Sequence, residues 1–293
     1  MRIEGTFTAI VTPFRADTTL DEAALRALIG AQLAGGIDGL VPCGTTGETP
    51  TLEHEEWERV IQITVEEVRG RVPVIAGTGS NATKKAVEQT RRARELGVDG
   101  ALVVTPYYNK PGPAMLDAHY RAVAAEGGLP VVLYNVPGRT GCNLLPSTVA
   151  ALAKVPNIVA VKEASGNLTQ VQEILGLVDP SRFTVLSGDD GLALPMYALG
   201  AQGVISVASN VVPAEMKSLR TRYTAGDVTG AAAENARLFP LFQALFCEPN
   251  PVPCKMALSM MGRMTATVRA PLGPLQPKSI DAVRAALVGL SLL

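Results

Sequence analysis

Lys162 closes the apolar run Ile158-Val159-Ala160-Val161, and a lysine at the end of a buried strand invites chemistry more than any other residue in the chain. Period-two alternation puts it on the face shared by Ile158 and Ala160, the interior face if the strand belongs to a closed barrel. Burial there disfavours the ammonium and favours the neutral amine, the form that attacks a carbonyl to give a Schiff base. The plainer alternative is a structural lysine paired with an acid such as Glu163, although alternation turns that neighbour to the opposite face. Other reactive or binding groups punctuate the chain at similar places. Thr45 and Thr46, bracketed by Gly44 and Gly47, offer two hydroxyls and several free backbone N–H groups, a cradle for a small carboxylate, though glycine and threonine also occur in ordinary turns. Tyr134 ends another apolar run and is suited to proton exchange, or else is an ordinary core tyrosine. Arg139, a few residues on, can grip a carboxylate through both arms of its guanidinium or simply be a solvated surface arginine.

These residues need elements to hold them, and the chain supplies a repeated unit. Gly36-Ile37-Asp38-Gly39, Gly97-Val98-Asp99-Gly100 and Gly200-Ala201-Gln202-Gly203 each follow a helical pattern and precede an apolar run, as expected of a helix stop that feeds a strand. Strands are predicted near Phe7, Leu40, Val74, Ala101, Val131, Ile158, Phe183 and Val204, mostly with helical segments between them such as 52–68 and 83–96. Eight alternating units point to an α/β fold, a (β/α)8 TIM barrel, in preference to a doubly wound open sheet. The rest, 213–293, reads as helix with breaks near Gly226 and Pro249 and again between Pro271 and Pro277. The expected organisation is a barrel over residues 1–225 carrying the active site and a C-terminal helical extension over 226–293. In such barrels chemistry sits where strands end. The segments that follow the apolar runs, among them Thr105-Pro106-Tyr107-Tyr108 and Ser187-Gly188-Asp189-Asp190, gather hydroxyls, glycines and one lysine on one rim.

Composition narrows the alternatives. With 26 Lys+Arg against 27 Asp+Glu over 293 residues, no basic surface is implied for nucleic acid or an anionic membrane. The stretch 191–213 carries no Asp, Glu, Lys or Arg, but its prolines, glycines and Ser206, Ser209 and Asn210 divide it into short elements and argue against a membrane span. The four cysteines form no CxxC pair and, with only His54 and His119 beside them, no zinc-ligand spacing. Reduced, mostly packed thiols are expected. The first 14 residues lack a signal peptide's charged head and apolar middle, so a cytoplasmic enzyme is expected. Gly77-Thr78-Gly79-Ser80-Asn81-Ala82 mimics a dinucleotide fingerprint, but it lies in the third unit and no acidic residue ends a following strand at the required distance.

Taken in order, Gly44-Thr45-Thr46-Gly47-Glu48, Thr105-Pro106-Tyr107-Tyr108, Tyr134-Asn135-Val136-Pro137-Gly138-Arg139-Thr140, Val161-Lys162-Glu163, Ser187-Gly188-Asp189-Asp190 and Asn250-Pro251-Val252-Pro253-Cys254-Lys255 resemble the dihydrodipicolinate synthase and N-acetylneuraminate lyase family of class I pyruvate aldolases over nearly the whole chain. The resemblance implies that Lys162 forms an imine with pyruvate, that Thr45 and Thr46 bind its carboxylate and help relay protons, and that Tyr134 is the acid/base. It implies that Tyr108 completes a proton relay from a neighbouring subunit, that Gly188 and Ile205 line the pocket through backbone carbonyls, and that Arg139 holds the carboxylate of a second substrate. Arg139 and the Thr-Thr pair favour the synthase branch, hence condensation with L-aspartate 4-semialdehyde to 4-hydroxy-tetrahydrodipicolinate, the first committed step toward diaminopimelate and lysine. The resemblance further implies no cofactor and a homotetramer built as a dimer of dimers. Regulated relatives bind lysine through a second histidine and a glutamate that here look like Trp57 and Lys85, while His54, Asn81 and Tyr107 match. Weak or absent lysine inhibition is therefore expected. The alternatives are a sugar-acid or sialic-acid type aldolase on the same scaffold and a non-catalytic pyruvate-binding homologue.

Overall fold

Helix stops and apolar runs alternate in space as they do in the sequence. The computed structural model describes residues 2–293. Its strands are β1 Gly5–Ala9, β2 Gly39–Val41, β3 Ile75–Gly77, β4 Gly100–Val104, β5 Val131–Asn135, β6 Ile158–Glu163, β7 Thr184–Ser187 and β8 Gly203–Ser206. All pair in parallel in the order β2-β1-β8-β7-β6-β5-β4-β3. A parallel bridge between Leu40 and Val74 brings the two ends together, so the sheet closes into the expected (β/α)8 barrel and leaves no open edge. Between the strands lie α1 Glu22–Ala34, α2 His54–Val68, α3 Thr83–Glu95, α4 Pro113–Gly127, the short α5 Pro137–Thr140, then α6 Pro146–Leu152, α7 Leu168–Leu177 and α8 Ala193–Leu199. The helices start where local chemistry allows it. Glu53 and Glu56 form a capping box at the head of α2, and proline opens α4, α5 and α6, where its missing N–H costs no helical bond.

Two apolar layers follow from the strand period. Phe7, Ala9, Val41, Ile75, Leu102, Val132, Ala160, Leu186 and Ile205 fill the barrel, and the alternate residues, including Val131, Leu133, Val161 and Val185, pack outward against the helices. Ile158 departs from its expected place. It packs in the outer layer while Val159 and Ala160 both join the inner one, because the pairing of β5 with β6 skips a residue between Val131 and Val132. Such a bulge resets the alternation, and Lys162 still emerges on the inner face beside Ala160. The uncharged stretch 191–213 is divided, as expected, into α8, β8 and short 3-10 turns at Asp190–Leu192 and Ala208–Asn210. No helix of the described residues is long and apolar enough to cross a membrane.

The C-terminal part contains α9 Pro213–Thr224, α10 Val228–Ala244, α11 Val252–Met260 and α12 Pro277–Gly289. The break expected between Pro271 and Pro277 is longer, running from 261 to 276. Gly262, at φ 69°, stops α11, and the following strap is tied down by Arg269. Its guanidinium pairs with Glu56, donates to the Thr18 and Thr51 carbonyls and lies 4.1 Å from the Phe14 ring centre. These bonds satisfy the strap's polar groups without a helical ladder.

His119 sits on α4 with Nδ1 2.9 Å from the Thr83 hydroxyl, while Nε2 is buried without a partner. Burial pulls its imidazole from 6.5 down to about 4. Between those values the unfolded chain binds a proton that the native chain refuses, so this residue's contribution is complete above pH 6.5 and is lost as pH falls toward 4. Replacing His119→Gln should flatten that part of the profile. Urea unfolding at pH 7.5 and pH 5 should show a stability loss smaller by about 2 kcal/mol in the variant than in the native chain.

Candidate active site

The strand ends enclose a small cavity of about 120 Å³ lined by Thr45, Thr46, Tyr134, Val136, Arg139, Lys162, Ala164, Gly188, Asp189, Val207, Phe246 and Asn250. Pockets for drug-sized ligands run to roughly 300–1,000 Å³, so this one suits a small acid far better than a nucleotide. Register explains its centre. Tyr134 and Lys162 are direct partners in the β5–β6 pairing, and Nζ of Lys162 lies 4.3 Å from the centre of the Tyr134 ring. Lys162 is 5% exposed, and none of the described carboxylates pairs with it. Glu163 faces the other way, as alternation requires. It accepts from Asn135 Nδ2 at 3.0 Å, Gln170 Nε2 at 3.2 Å and the Ser165 amide at 2.7 Å.

Gly188 borders the lysine because nothing larger fits. A Cβ there would stand 2.6 Å from Ala164 Cβ and 3.0 Å from Lys162 Cε. Thr46 is buried and Thr45 half-buried in a turn tightened by Gly47 N–H to Gly44 O and Glu48 N–H to Thr45 O. The Thr12 hydroxyl donates to Gly47 O, and the Thr49 hydroxyl to Cys43 O. Arg139 is exposed at the rim. Two predicted residues stand apart. Ile205 is 1% exposed within the barrel's apolar filling and is not among the cavity's lining residues. Tyr108, 88% exposed at φ 73°, is not among the residues lining the cavity of its own chain.

The sequence reasoning assigned no role to Phe246 or Asn250, which reach the cavity from the C-terminal part. Asn250 stands in a motif noted for its resemblance, but nothing in the spacing says that it meets Thr46. The same is true of the bond that seats this region. Lys255, fully buried, forms an ion pair with Glu48, donates to Thr267 O at 3.0 Å and lies 4.1 Å from the Phe14 ring centre. Glu48 also accepts from the Arg269 amide at 3.0 Å. Burial draws the Lys255 ammonium down to about 8 against the pull of Glu48.

Two other sequence readings resolve here. Cys43, beside the Thr-Thr turn, is 1% exposed, and burial pushes its thiol far up. It stays protonated and inert at neutral pH. Cys254 is buried too, whereas Cys142 is half-buried and Cys247 exposed. The glycines of the dinucleotide mimic serve packing, since Cβ atoms at Gly77 and Gly79 would stand 1.9 Å from Cys43 O and 2.4 Å from Val104 N. No cluster of three or more metal-ligating side chains occurs among the described residues.

A closed (β/α)8 barrel with a buried lysine in a polar cavity at the rim where its strands end is the architecture of a barrel enzyme. The sequence model of the dihydrodipicolinate synthetase family matches residues 2–289. A 4-hydroxy-tetrahydrodipicolinate synthase of Maridesulfovibrio salexigens is 51% identical over 294 residues, with both chains covered completely. The crystal structure of dihydrodipicolinate synthase from Thermotoga maritima superposes with a TM-score of 0.98 at 40% identity, again over all of both chains. A monomeric dihydrodipicolinate synthase variant of 41% identity gives 0.97 over 99% of this chain and 98% of its own. The chain belongs to the dihydrodipicolinate synthetase family.

The Glu48–Lys255 pair carries a prediction. Lys255→Met leaves the Glu48 carboxylate buried without its cation and should cost about 3–5 kcal/mol by denaturant unfolding, whereas adding Glu48→Gln should restore most of the loss.

Proposed function

We propose that the chain condenses pyruvate with L-aspartate 4-semialdehyde to 4-hydroxy-tetrahydrodipicolinate, a step of diaminopimelate and lysine biosynthesis. The observation that carries this reading is a buried lysine without an acid partner facing a small cavity of about 120 Å³, in a chain of this family. Nζ of Lys162 adds to C2 of pyruvate and water leaves, giving an iminium. Loss of a C3 proton turns it into an enamine, whose C3 attacks the aldehyde carbon of the semialdehyde. The semialdehyde's amine then adds at C2 and expels the Lys162 nitrogen, closing the ring and freeing the enzyme. One water is released overall. Pyruvate is itself the covalent electron sink, so the sequence of steps requires no cofactor.

The residue roles proposed here rest on the family resemblance, with position as support. Tyr134, beside Lys162 in the strand register, passes protons to and from the carbinolamine oxygen on C2 and the C3 carbon of the bound substrate. Thr45 and Thr46 hold the pyruvate carboxylate and pass protons, Gly188 leaves the lysine side chain room to turn, and exposed Arg139 receives the semialdehyde's carboxylate at the rim. Ile205 contributes only backbone from its place in β8. Tyr108, turned outward, serves a neighbouring subunit's Thr45–Tyr134 relay. A dimer is then the smallest complete unit and a dimer of dimers its natural extension. Residues 1–225 form the barrel and 226–293 the extension, and the setting is the cytoplasm.

Intact-mass spectrometry after pyruvate and borohydride tests the core of this reading. One reduced pyruvyl adduct should form on the native chain and none on Lys162→Ala, whose turnover of the semialdehyde should fall at least about a thousandfold. An unmodified native chain would overturn it.

Regulation follows from the second site. The Trp57 ring is 3% exposed and donates Nε1–H to Gly77 O at 3.1 Å, while Lys85 is exposed on α3. A bulky locked ring and a cation leave a lysine ligand's amine without its acid. Steady-state rates should hold within about twofold at millimolar lysine, and strong inhibition in that range would contradict this arrangement.

A further inference from the structure

Thr46 has one hydroxyl proton and two lone pairs to dispose of. Asn250, 6% exposed and bordering the same cavity, donates from Nδ2 to the Thr46 Oγ1 at 2.9 Å. No described residue accepts the Thr46 proton. With one lone pair occupied on the Asn250 side, the hydroxyl turns its hydrogen and its remaining lone pair elsewhere, and Thr46 lines the cavity. The other end of the amide is equally informative. Asn250 Oδ1 is buried and partnerless, an acceptor left unmet in this orientation. Turned over, the amide would take the Thr46 proton for itself and leave the cavity facing a lone pair.

Asn250 is seated for such a task. It follows the end of α10 and precedes α11, whose Lys255 is anchored to Glu48 two residues beyond Thr46. The C-terminal part thus touches the Thr-Thr turn at two points, one ionic and one an amide.

We propose that Asn250 is a positioning residue that commits the Thr46 hydroxyl to donate into the cavity, toward the carboxylate of the bound keto acid. The inference rests on the imine reading given above. It assigns Asn250 no contact with the reacting atoms: its effect falls on how tightly pyruvate is held rather than on how much imine forms at saturation.

Adduct formation with pyruvate and borohydride, followed against pyruvate concentration, separates the two quantities. Asn250→Asp replaces the donor by a carboxylate that claims the Thr46 proton and repels the substrate. Half-saturating pyruvate should rise about tenfold or more, with the plateau of adduct unchanged. Asn250→Ala frees the hydroxyl to rotate and should raise it about threefold. Thr46→Val removes the group through which Asn250 acts, so Asn250→Ala/Thr46→Val should bind pyruvate no more weakly than Thr46→Val alone. Native half-saturation in Asn250→Asp, or the full Asn250→Ala factor persisting in the Thr46→Val background, would overturn the proposal and leave the imine reading intact. Should Asn250→Asp melt without a cooperative transition, the alanine cycle decides by itself. Absence of any adduct on the native chain would instead remove the imine reading, and this inference with it.

Discussion

An amine held inside a closed barrel with no carboxylate to answer it is the constraint around which this structure is arranged. Burying a polar group without a partner is costly, so a buried lysine needs either an acid or a use. The chain holds two buried lysines and treats them oppositely. Lys255 is fully enclosed but faces Glu48, a backbone carbonyl and the Phe14 ring. Lys162 is nearly as buried and faces a tyrosine ring and a cavity. The first arrangement fixes a loop. The second leaves an amine facing the cavity with no acid to pair with.

Keeping Lys162 unpaired takes effort from its neighbours. Glu163 is the obvious partner by sequence, and its carboxylate is instead satisfied by Asn135, Gln170 and the Ser165 amide on the far face of the sheet. Asn135 and Glu163 are themselves register partners, so one hydrogen bond between them ties the ends of β5 and β6. On the inner face that same registry sets Tyr134 against Lys162. The position of Tyr134 relative to Lys162 is therefore set by backbone pairing, and sites built on strands are held more precisely than sites on loops.

What could be read from residues alone follows from these physical levels. Strand positions were legible because glycine stops and apolar runs are local signals, and all eight strands fall where those signals placed them or within a residue or two. Lys162 was legible because alternation is also local, although the bulge opposite Val131 moved Ile158 to the outer layer and left the prediction right for Ala160 only. The strap at 261–276 was misread as largely helical because its order comes from Arg269 reaching Glu56, Thr18 and Thr51, contacts over 200 residues distant in sequence. The role of Asn250 was illegible for the same reason. Tyr108 and Ile205 came from family resemblance rather than from spacing, and the single chain brings neither side chain into the cavity.

The long-range contacts also change how the C-terminal part is to be understood. A boundary near residue 225 falls in the turn at Gly226, between α9 and α10, and suggests a barrel with an appendix. Yet Phe246 and Asn250 supply part of the cavity wall, and Lys255 and Arg269 both converge on Glu48, two residues after Thr46. A barrel deprived of this segment would keep its lysine and its tyrosine but would leave the Glu48 carboxylate buried without a cation and the Thr46 hydroxyl free to turn. The carboxylate cradle would be the first feature to lose its shape. The extension is thus the counterpart, from outside the barrel, of the strand pairing inside it: β5 and β6 set Tyr134 against Lys162, and α11 with its preceding turn fixes the Thr45–Thr46 turn on the opposite wall of the cavity through Asn250 and Lys255.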